Sequence, residues 1–185
     1  MEIVVSQWND QFWLEMAKKY AEESKDPSTK VGCVIVRPDR TPCSWGTNGF
    51  PQGIADTQDR LNDRPTKYDL TIHAELNALL FAPERVVGYT LYSTFAPCIR
   101  CAVNIIQAKI AKVVFYLSDN ERWREEQARS IELFLEAGLT VIGIDQDDIA
   151  ERHIITRRWT RVRDRRAGGP PANEQSHRWD APCCN

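Results

Sequence analysis

An α/β fold is predicted: a three-layer α/β/α sandwich around a mixed central sheet of about five strands. Short β-branched apolar runs alternate along the chain with stretches whose apolar residues recur every three or four positions. Pro, Gly, Asn and Asp fall between these segments, where turns belong. With 185 residues, 42% hydrophobic and 27% charged, the chain can bury a core without disulfide staples.

Trp8, Phe12, Trp13, Met16, Ala17 and Tyr20 have helical spacing and predict a first helix over residues 8–23, with Lys18, Lys19, Glu22 and Glu23 outward and Asn9 or Ser6 as its cap. The aromatic residues on it read as core packing. Residues 24–30 are turn-rich, and residues 31–36 form a buried strand that Pro38-Asp39 ends. A second strand over about 42–48 closes a hairpin. Residues 51–68 are polar and lack a clean period. They lead directly into His73, so a substrate-facing loop is expected there. Residues 73–80 predict a helix with Leu76, Leu79 and Leu80 inward, stopped by Pro83. A strand over 89–93, a helix over 98–108 opened by Pro97, a strand over 112–117, a helix over 125–137 closed by Gly138 and a strand over 139–144 follow. Ile154, Ile155 and Trp159 would pack one more helix. One domain over 1–166 is expected. Gly168-Gly169-Pro170-Pro171 then breaks the pattern, and 167–185 is expected to be a flexible tail.

The net charge of −2 argues against a protein that wraps nucleic acid electrostatically, although residues 151–185 hold eight arginines against four acids. No run reaches the roughly 18 apolar residues of a membrane helix, and residues 1–6 lack the basic-then-apolar pattern of a secretory signal. A cytoplasmic location is the expectation. Of six cysteines, Cys33 and Cys43 sit in strand-like runs as structural thiols, and nothing orders Cys183 and Cys184 with His177 into a site. Only Cys98 and Cys101 have metal-ligand spacing with a histidine upstream.

That histidine opens His73-Ala74-Glu75, and the thiols belong to Pro97-Cys98-Ile99-Arg100-Cys101. Cysteines three apart share one helix face, and the positive end of the helix dipole favours their thiolates. His73, Cys98 and Cys101 are therefore the candidate zinc ligands. Three protein ligands leave a fourth position open, as catalytic zinc requires, and the metal acidifies a bound water to a pKa of about 7. Glu75 is the candidate catalytic residue, moving a proton from that water to N3 of a pyrimidine and helping to expel ammonia from C4. A Cys-x-x-Cys alone could equally be a structural zinc knuckle or a redox pair. His-x-Glu heading one helix and Pro-Cys-x-x-Cys heading another, with a strand between, favours nucleobase deamination.

These residues resemble the deoxycytidylate deaminases within the cytidine deaminase superfamily. The resemblance runs over about 8–145. It is carried by Asp26-Pro27-Ser28-Thr29-Lys30-Val31-Gly32, Asn48-Gly49-Phe50-Pro51-Gln52-Gly53, His73-Ala74-Glu75-Leu76-Asn77-Ala78-Leu79, Ala96-Pro97-Cys98-Ile99-Arg100-Cys101-Ala102 and Ser118-Asp119. It implies the cytidine deaminase-like sandwich and hydrolysis of deoxycytidine monophosphate to deoxyuridine monophosphate and ammonia. It also implies a zinc cofactor, expected at one per chain because residues 49–72 lack the His and Cys with which some viral relatives hold a second, and a homo-oligomer, commonly a hexamer. Arg60 to Tyr68, within the 24 residues separating Asn48 from His73, resembles the insertion of deoxycytidylate enzymes, whereas tRNA adenosine deaminases have a shorter connection. The family likeness makes Asn48 a sugar contact, though an Asn ending a strand is also an ordinary turn residue. Ser24 and Lys25 are the candidate phosphate contacts, with Arg60, Arg64 and Lys67 as alternatives. Tyr116 or Trp123 is the candidate aromatic face for the base. At Gly46-Thr47-Asn48 the chain lacks the tyrosine of the Gly-Tyr-Asn motif linked to activation by deoxycytidine triphosphate, which argues against that control. Residues 49–72 hold no His or Cys for a second zinc.

Overall fold

The computed structural model describes residues 9–118, 121–144 and 152–155, with the backbone alone for 121–124 and 152–154. Residues 1–8 and 156–185 lie outside the described residues, as do the expectations made for Ser6, Trp8, Asp119, Trp159 and the tail.

The chain order is α1 (Asp10–Glu22), β1 (Gly32–Val36), β2 (Pro42–Thr47), α2 (Gln58–Asn62), α3 (Arg64–Leu70), α4 (Ala74–Leu80), β3 (Thr90–Ser93), α5 (Ile99–Gln107), β4 (Lys112–Tyr116), α6 (Glu121–Glu136), β5 (Thr140–Ile144) and β6 (Arg152–Ile154). The strands form one mixed sheet in the order β2-β1-β3-β4-β5-β6. β1 is antiparallel to β2 and β3, β3–β4–β5 run parallel, and β6 returns antiparallel on β5. The parallel pairs are joined through α5 and α6, as crossover connections require.

The sheet is buried on both faces, and strand alternation sorts the core in two. Cys33, Ile35, Leu91, Val113, Phe115 and Val141 face α4, α5 and α6. Val34, Val36, Tyr92, Val114, Tyr116 and Ile144 face Trp13, Leu14 and Ala17 of α1. α1 starts where Asn9 accepts a 2.9 Å hydrogen bond from the Phe12 amide.

Four expectations change. The second half of 51–68 is helical: Thr57 caps α2, Asp63 caps α3 and Pro65 lies in the first turn of α3. On α4, Ala74 and Ala78 are fully buried, whereas Leu80 is 63% exposed. The helix lies so close to β2 that a Cβ at Gly46 would collide with the Ala74 carbonyl and the Ala78 nitrogen, so only small side chains fit on that stripe. Residues 152–154 add a sixth strand, pairing Ile154 with Ile142, where a helix was expected. Cys33 is buried as expected, but Cys43 is only half-buried and donates to Glu84.

Candidate active site

Both helices that carry the site begin at it. His73 is the N-cap of α4 and Cys98 the N-cap of α5, each with extended backbone, and the Cys98 sulfur accepts from the Cys101 amide. A Cap position turns its side chain back over the first turn, where the dipole is positive. In α4 this puts the His73 ring and the Glu75 carboxylate on the same end of the helix.

His73 Nδ1 lies 3.3 Å from Cys98 Sγ and 3.5 Å from Cys101 Sγ, and the three donor atoms fall within 4.8 Å of one another. Tetrahedral zinc with ordinary Zn–N and Zn–S bonds needs a nitrogen-to-sulfur separation of about 3.6 Å. The donor set therefore fits zinc in both type and spacing, with Nδ1 as the histidine ligand. The three groups also act on one another electrostatically. Cys98 is lowered to about 4, chiefly by the Cys101 thiol donating to it, and His73 is raised to about 9 by its hydrogen bond with Cys98. Cys101 is pushed up, first by Cys98 and then by burial. Zinc takes the histidine as a neutral ring and both cysteines as thiolates, so its binding would release the protons that His73 and Cys101 hold.

Glu75 is fully buried. One carboxylate oxygen accepts from Ser93 Oγ at 3.4 Å and the other from the Cys101 thiol at 3.7 Å. Burial raises its pKa, so the carboxyl can hold a proton as well as accept one. Ser93, a polar residue closing an apolar strand, was not singled out from the sequence. Its period-two position on β3, on the face opposite Tyr92, is the signal that could have found it. Glu126 of α6 also reaches this corner: its carboxylate accepts from the Ile99 amide, and burial followed by the nearby Cys98 raises its pKa.

Asn48 is buried, with its side-chain oxygen accepting from the Val31 amide at 2.8 Å and its Nδ2 donating to the Thr29 carbonyl at 2.9 Å. It lines a cavity of about 150 Å³ together with Lys25, Asp26, Phe50, Leu61 and Thr71. Lys25 lies across this cavity, paired with Asp56 at 2.7 Å. Ser24 is buried beneath it and donates to the Asn48 carbonyl. The structure thus brings Asn48, Ser24 and Lys25 together. Of the alternative cations, Arg60 binds the Ala55 carbonyl, Arg64 the Tyr68 hydroxyl, and Lys67 is buried on Asp26.

Tyr116 must be corrected. Its ring is buried on the α1 face of the sheet and its hydroxyl donates to Glu15 at 2.7 Å. β4 alternation puts Phe115, not Tyr116, on the face that packs against α4 and α5, so Tyr116 cannot stack on a base at the metal corner. The side chain of Trp123 lies outside the described residues.

Residues 7–117 match the profile described as the cytidine and deoxycytidylate deaminase zinc-binding region. The chain belongs to the cytidine and deoxycytidylate deaminase family. It is 39% identical over 147 residues to an uncharacterized deaminase of Aliivibrio fischeri, covering 78% of this chain and 98% of that one. It is 36% identical over 157 residues to the deoxycytidylate deaminase of Homo sapiens, covering 77% and 88%. The fold is similar to the crystal structure of dCMP deaminase from the cyanophage S-TIM5 in complex with dCMP and dUMP, with a TM-score of 0.59 and 24% identity over 72% of this chain and 95% of that one. Membership makes this chain a zinc-dependent deaminase, and His73, Cys98 and Cys101 are the group that can hold the ion.

Proposed function

We propose that the protein hydrolyses deoxycytidine monophosphate to deoxyuridine monophosphate and ammonia. The observation that carries this is the His73–Cys98–Cys101 donor set with the buried Glu75 carboxylate against it, in a chain whose curated relatives include deoxycytidylate deaminases. His73, Cys98 and Cys101 hold the zinc, which when bound supplies a water acidified enough to attack at neutral pH.

Glu75 does the proton work. Its carboxylate takes a proton from the attacking water and delivers it to ring N3, so that oxygen adds at C4 while negative charge never builds on the ring. It then takes the second proton from the C4 hydroxyl and passes it to the amino group, so that the C4–N bond breaks, ammonia leaves and the C4 carbonyl forms. Burial suits the residue to both halves of the cycle by drawing its pKa up toward the working pH. Ser93 holds one Glu75 oxygen in place, leaving the other to face the reaction.

Asn48 is the sugar contact in this reading, and Lys25 the phosphate contact. For Lys25 to serve, its bond to Asp56 must yield to the incoming phosphate. That exchange is cheap because Lys25 is 70% exposed. Assembly as a homo-oligomer and a cytoplasmic location belong to the same reading. Among the described residues no helix is long and apolar enough to cross a membrane.

A substrate panel tests the proposal: deoxycytidine monophosphate, cytidine, guanine and a tRNA anticodon stem, each with and without deoxycytidine triphosphate. Turnover of deoxycytidine monophosphate above the others, unaffected by the triphosphate, is expected. Activity on guanine or tRNA alone would overturn the substrate assignment, and activation by the triphosphate would show that Thr47 does not abolish control.

A further inference from the structure

Lys67 is a buried cation that the chemistry above does not use. It is 8% exposed, as is its partner Asp26. Its Nζ lies 3.2 Å from Asp26 Oδ1 and also donates to Ser28 Oγ. The same Asp26 oxygen accepts from the Ser28 amide, the Ser28 hydroxyl and the Thr29 amide at 2.8–2.9 Å. Four donors thus converge on one oxygen, and the course of the loop after Asp26 is set by it.

That loop is what holds Asn48. The Thr29 carbonyl accepts from Asn48 Nδ2 and the Val31 amide donates to Asn48 Oδ1. From its other end, α3 runs through Thr71 into Ile72, whose amide and carbonyl pair with Gly49. α3 is therefore tied to the residues on both sides of Asn48, through the 26–31 loop and through Gly49. The circuit from Lys67 through Asp26, Thr29, Asn48, Gly49 and Ile72 back to α3 closes around the cavity that Asn48, Lys25 and Asp26 line. A buried ion pair stabilises weakly compared with apolar residues of the same volume, because both charges lose hydration. Its distinctive contribution is geometry.

We propose that Lys67 is a positioning residue: through Asp26 and the 26–31 loop it fixes the Asn48 side chain in its substrate-facing orientation. The inference rests on the reading of Asn48 as a substrate contact, and it gives the 49–72 insertion a role in substrate binding without direct contact. Asn48 Nδ2 has a second hydrogen and Oδ1 a second lone pair for a ligand. Both aim correctly only while Thr29 and Val31 hold the amide plane.

The test uses the full zinc-loaded chain carrying Lys67→Met, the milder Ser28→Ala, Asn48→Ala, and Lys67→Met combined with Asn48→Ala. Zinc content and circular dichroism confirm folding. Lys67→Met is expected to raise KM for deoxycytidine monophosphate about tenfold while kcat changes by less than about twofold, and Ser28→Ala to raise KM by about two- to threefold. In the Asn48→Ala background Lys67→Met should add nothing further, because the two residues act as one unit. A merely structural lysine would give effects that multiply. An unchanged KM in both single variants, or multiplying effects, would overturn the proposal. Should Lys67→Met fail to fold, Ser28→Ala decides. Amide hydrogen exchange adds a readout independent of turnover: Val31 should exchange faster in Ser28→Ala and in Lys67→Met, with residues 74–80 unchanged. If the wild type does not deaminate deoxycytidine monophosphate, the substrate reading fails by itself. Unchanged exchange at Val31 would still refute the coupling.

Discussion

The metal corner and the Asn48 cavity are built by different means. The corner is assembled from two helix starts, and each of its ligands is placed by the cap geometry of its own short motif. The cavity is assembled by contacts that span the chain: Lys67 reaches Asp26 across 41 residues and Asn48 reaches Val31 across 17. Each ligand is oriented by its local backbone, although the corner joins segments 25 and 28 residues apart. The Asn48 side chain is instead oriented by bonds from other segments. Changes at the corner should therefore act on kcat or metal content, and changes around the cavity on KM.

The largest effect expected is at Glu75. Glu75→Gln keeps the shape and removes the proton carrier, so kcat should fall by about 10²- to 10⁴-fold with zinc content unchanged. Atomic absorption beside a turnover assay checks both. Retained activity would end the proton-transfer assignment. The same variant has a stability signature in the metal-free protein. Burial raises the folded pKa of Glu75 above the ordinary glutamate value of 4.5, so the wild type favours folding most below that value and loses stability as pH rises through the raised one. Glu75→Gln has no such loss. Its melting temperature should exceed that of the metal-free wild type at neutral pH, and the gap should close below about pH 4.5.

Gly46 comes next, and it blurs the boundary between the two regions. It sits on β2, two residues before Asn48, yet what it controls is the approach of α4. Gly46→Val would drive a side chain into the Ala74 carbonyl and the Ala78 nitrogen. Overpacking of this kind costs about 1–3 kcal/mol. Because α4 carries both His73 and Glu75, a displacement of about 1 Å should cost kcat/KM about 10²-fold. Denaturant melts and kinetics together check it. A stability loss with kinetics intact would mean that α4 tolerates displacement.

The difference between the regions also explains what the sequence disclosed. The fold class, the first five strands and the His73–Cys98–Cys101 donor set were legible because capping, alternation and Cys-x-x-Cys spacing act within a few residues of each other. The 51–68 stretch reads as loop from its polar, aperiodic sequence, although Thr57, Asp63 and Pro65 are ordinary helix-start signals. Its helices are five and seven residues long, too short to show a period. Leu80 was expected inward because it is apolar, but the close approach at Gly46 gives the buried stripe to Ala74 and Ala78. Lys67 read as an alternative phosphate contact or a solvated charge, since nothing near it in sequence announces Asp26.

Lys25 offers a cleaner test of the recognition side. Its pairing with Asp56 is exposed and contributes little to stability, so Lys25→Met should leave the melting temperature within about 1–2 °C. If Lys25 meets the phosphate, a charge-assisted hydrogen bond is lost and KM should rise about tenfold with kcat nearly constant. Cytidine, which lacks the phosphate, supplies the control. An equal KM change for cytidine would show that Lys25 shapes the cavity instead of binding the phosphate.

The smallest effect is expected at Tyr116, which is informative because it was placed in the site from sequence. Its hydroxyl donates to Glu15 across the α1 interface, far from the metal ligands in the packing of the sheet. Tyr116→Phe should therefore leave kcat and KM within about twofold. It should cost only about 0.5–1 kcal/mol, since Glu15 is half exposed and water replaces the lost donor. The cost carries a pH dependence. The Tyr116 hydroxyl is the chief cause of the lowered Glu15 pKa, so this stabilisation is fully present above the ordinary glutamate value of 4.5 and is lost as pH falls through the depressed one. Wild-type and Tyr116→Phe melting temperatures should differ at neutral pH and converge in acid. A loss of activity at neutral pH without that convergence would return Tyr116 to the site and undo the two-face division of the core.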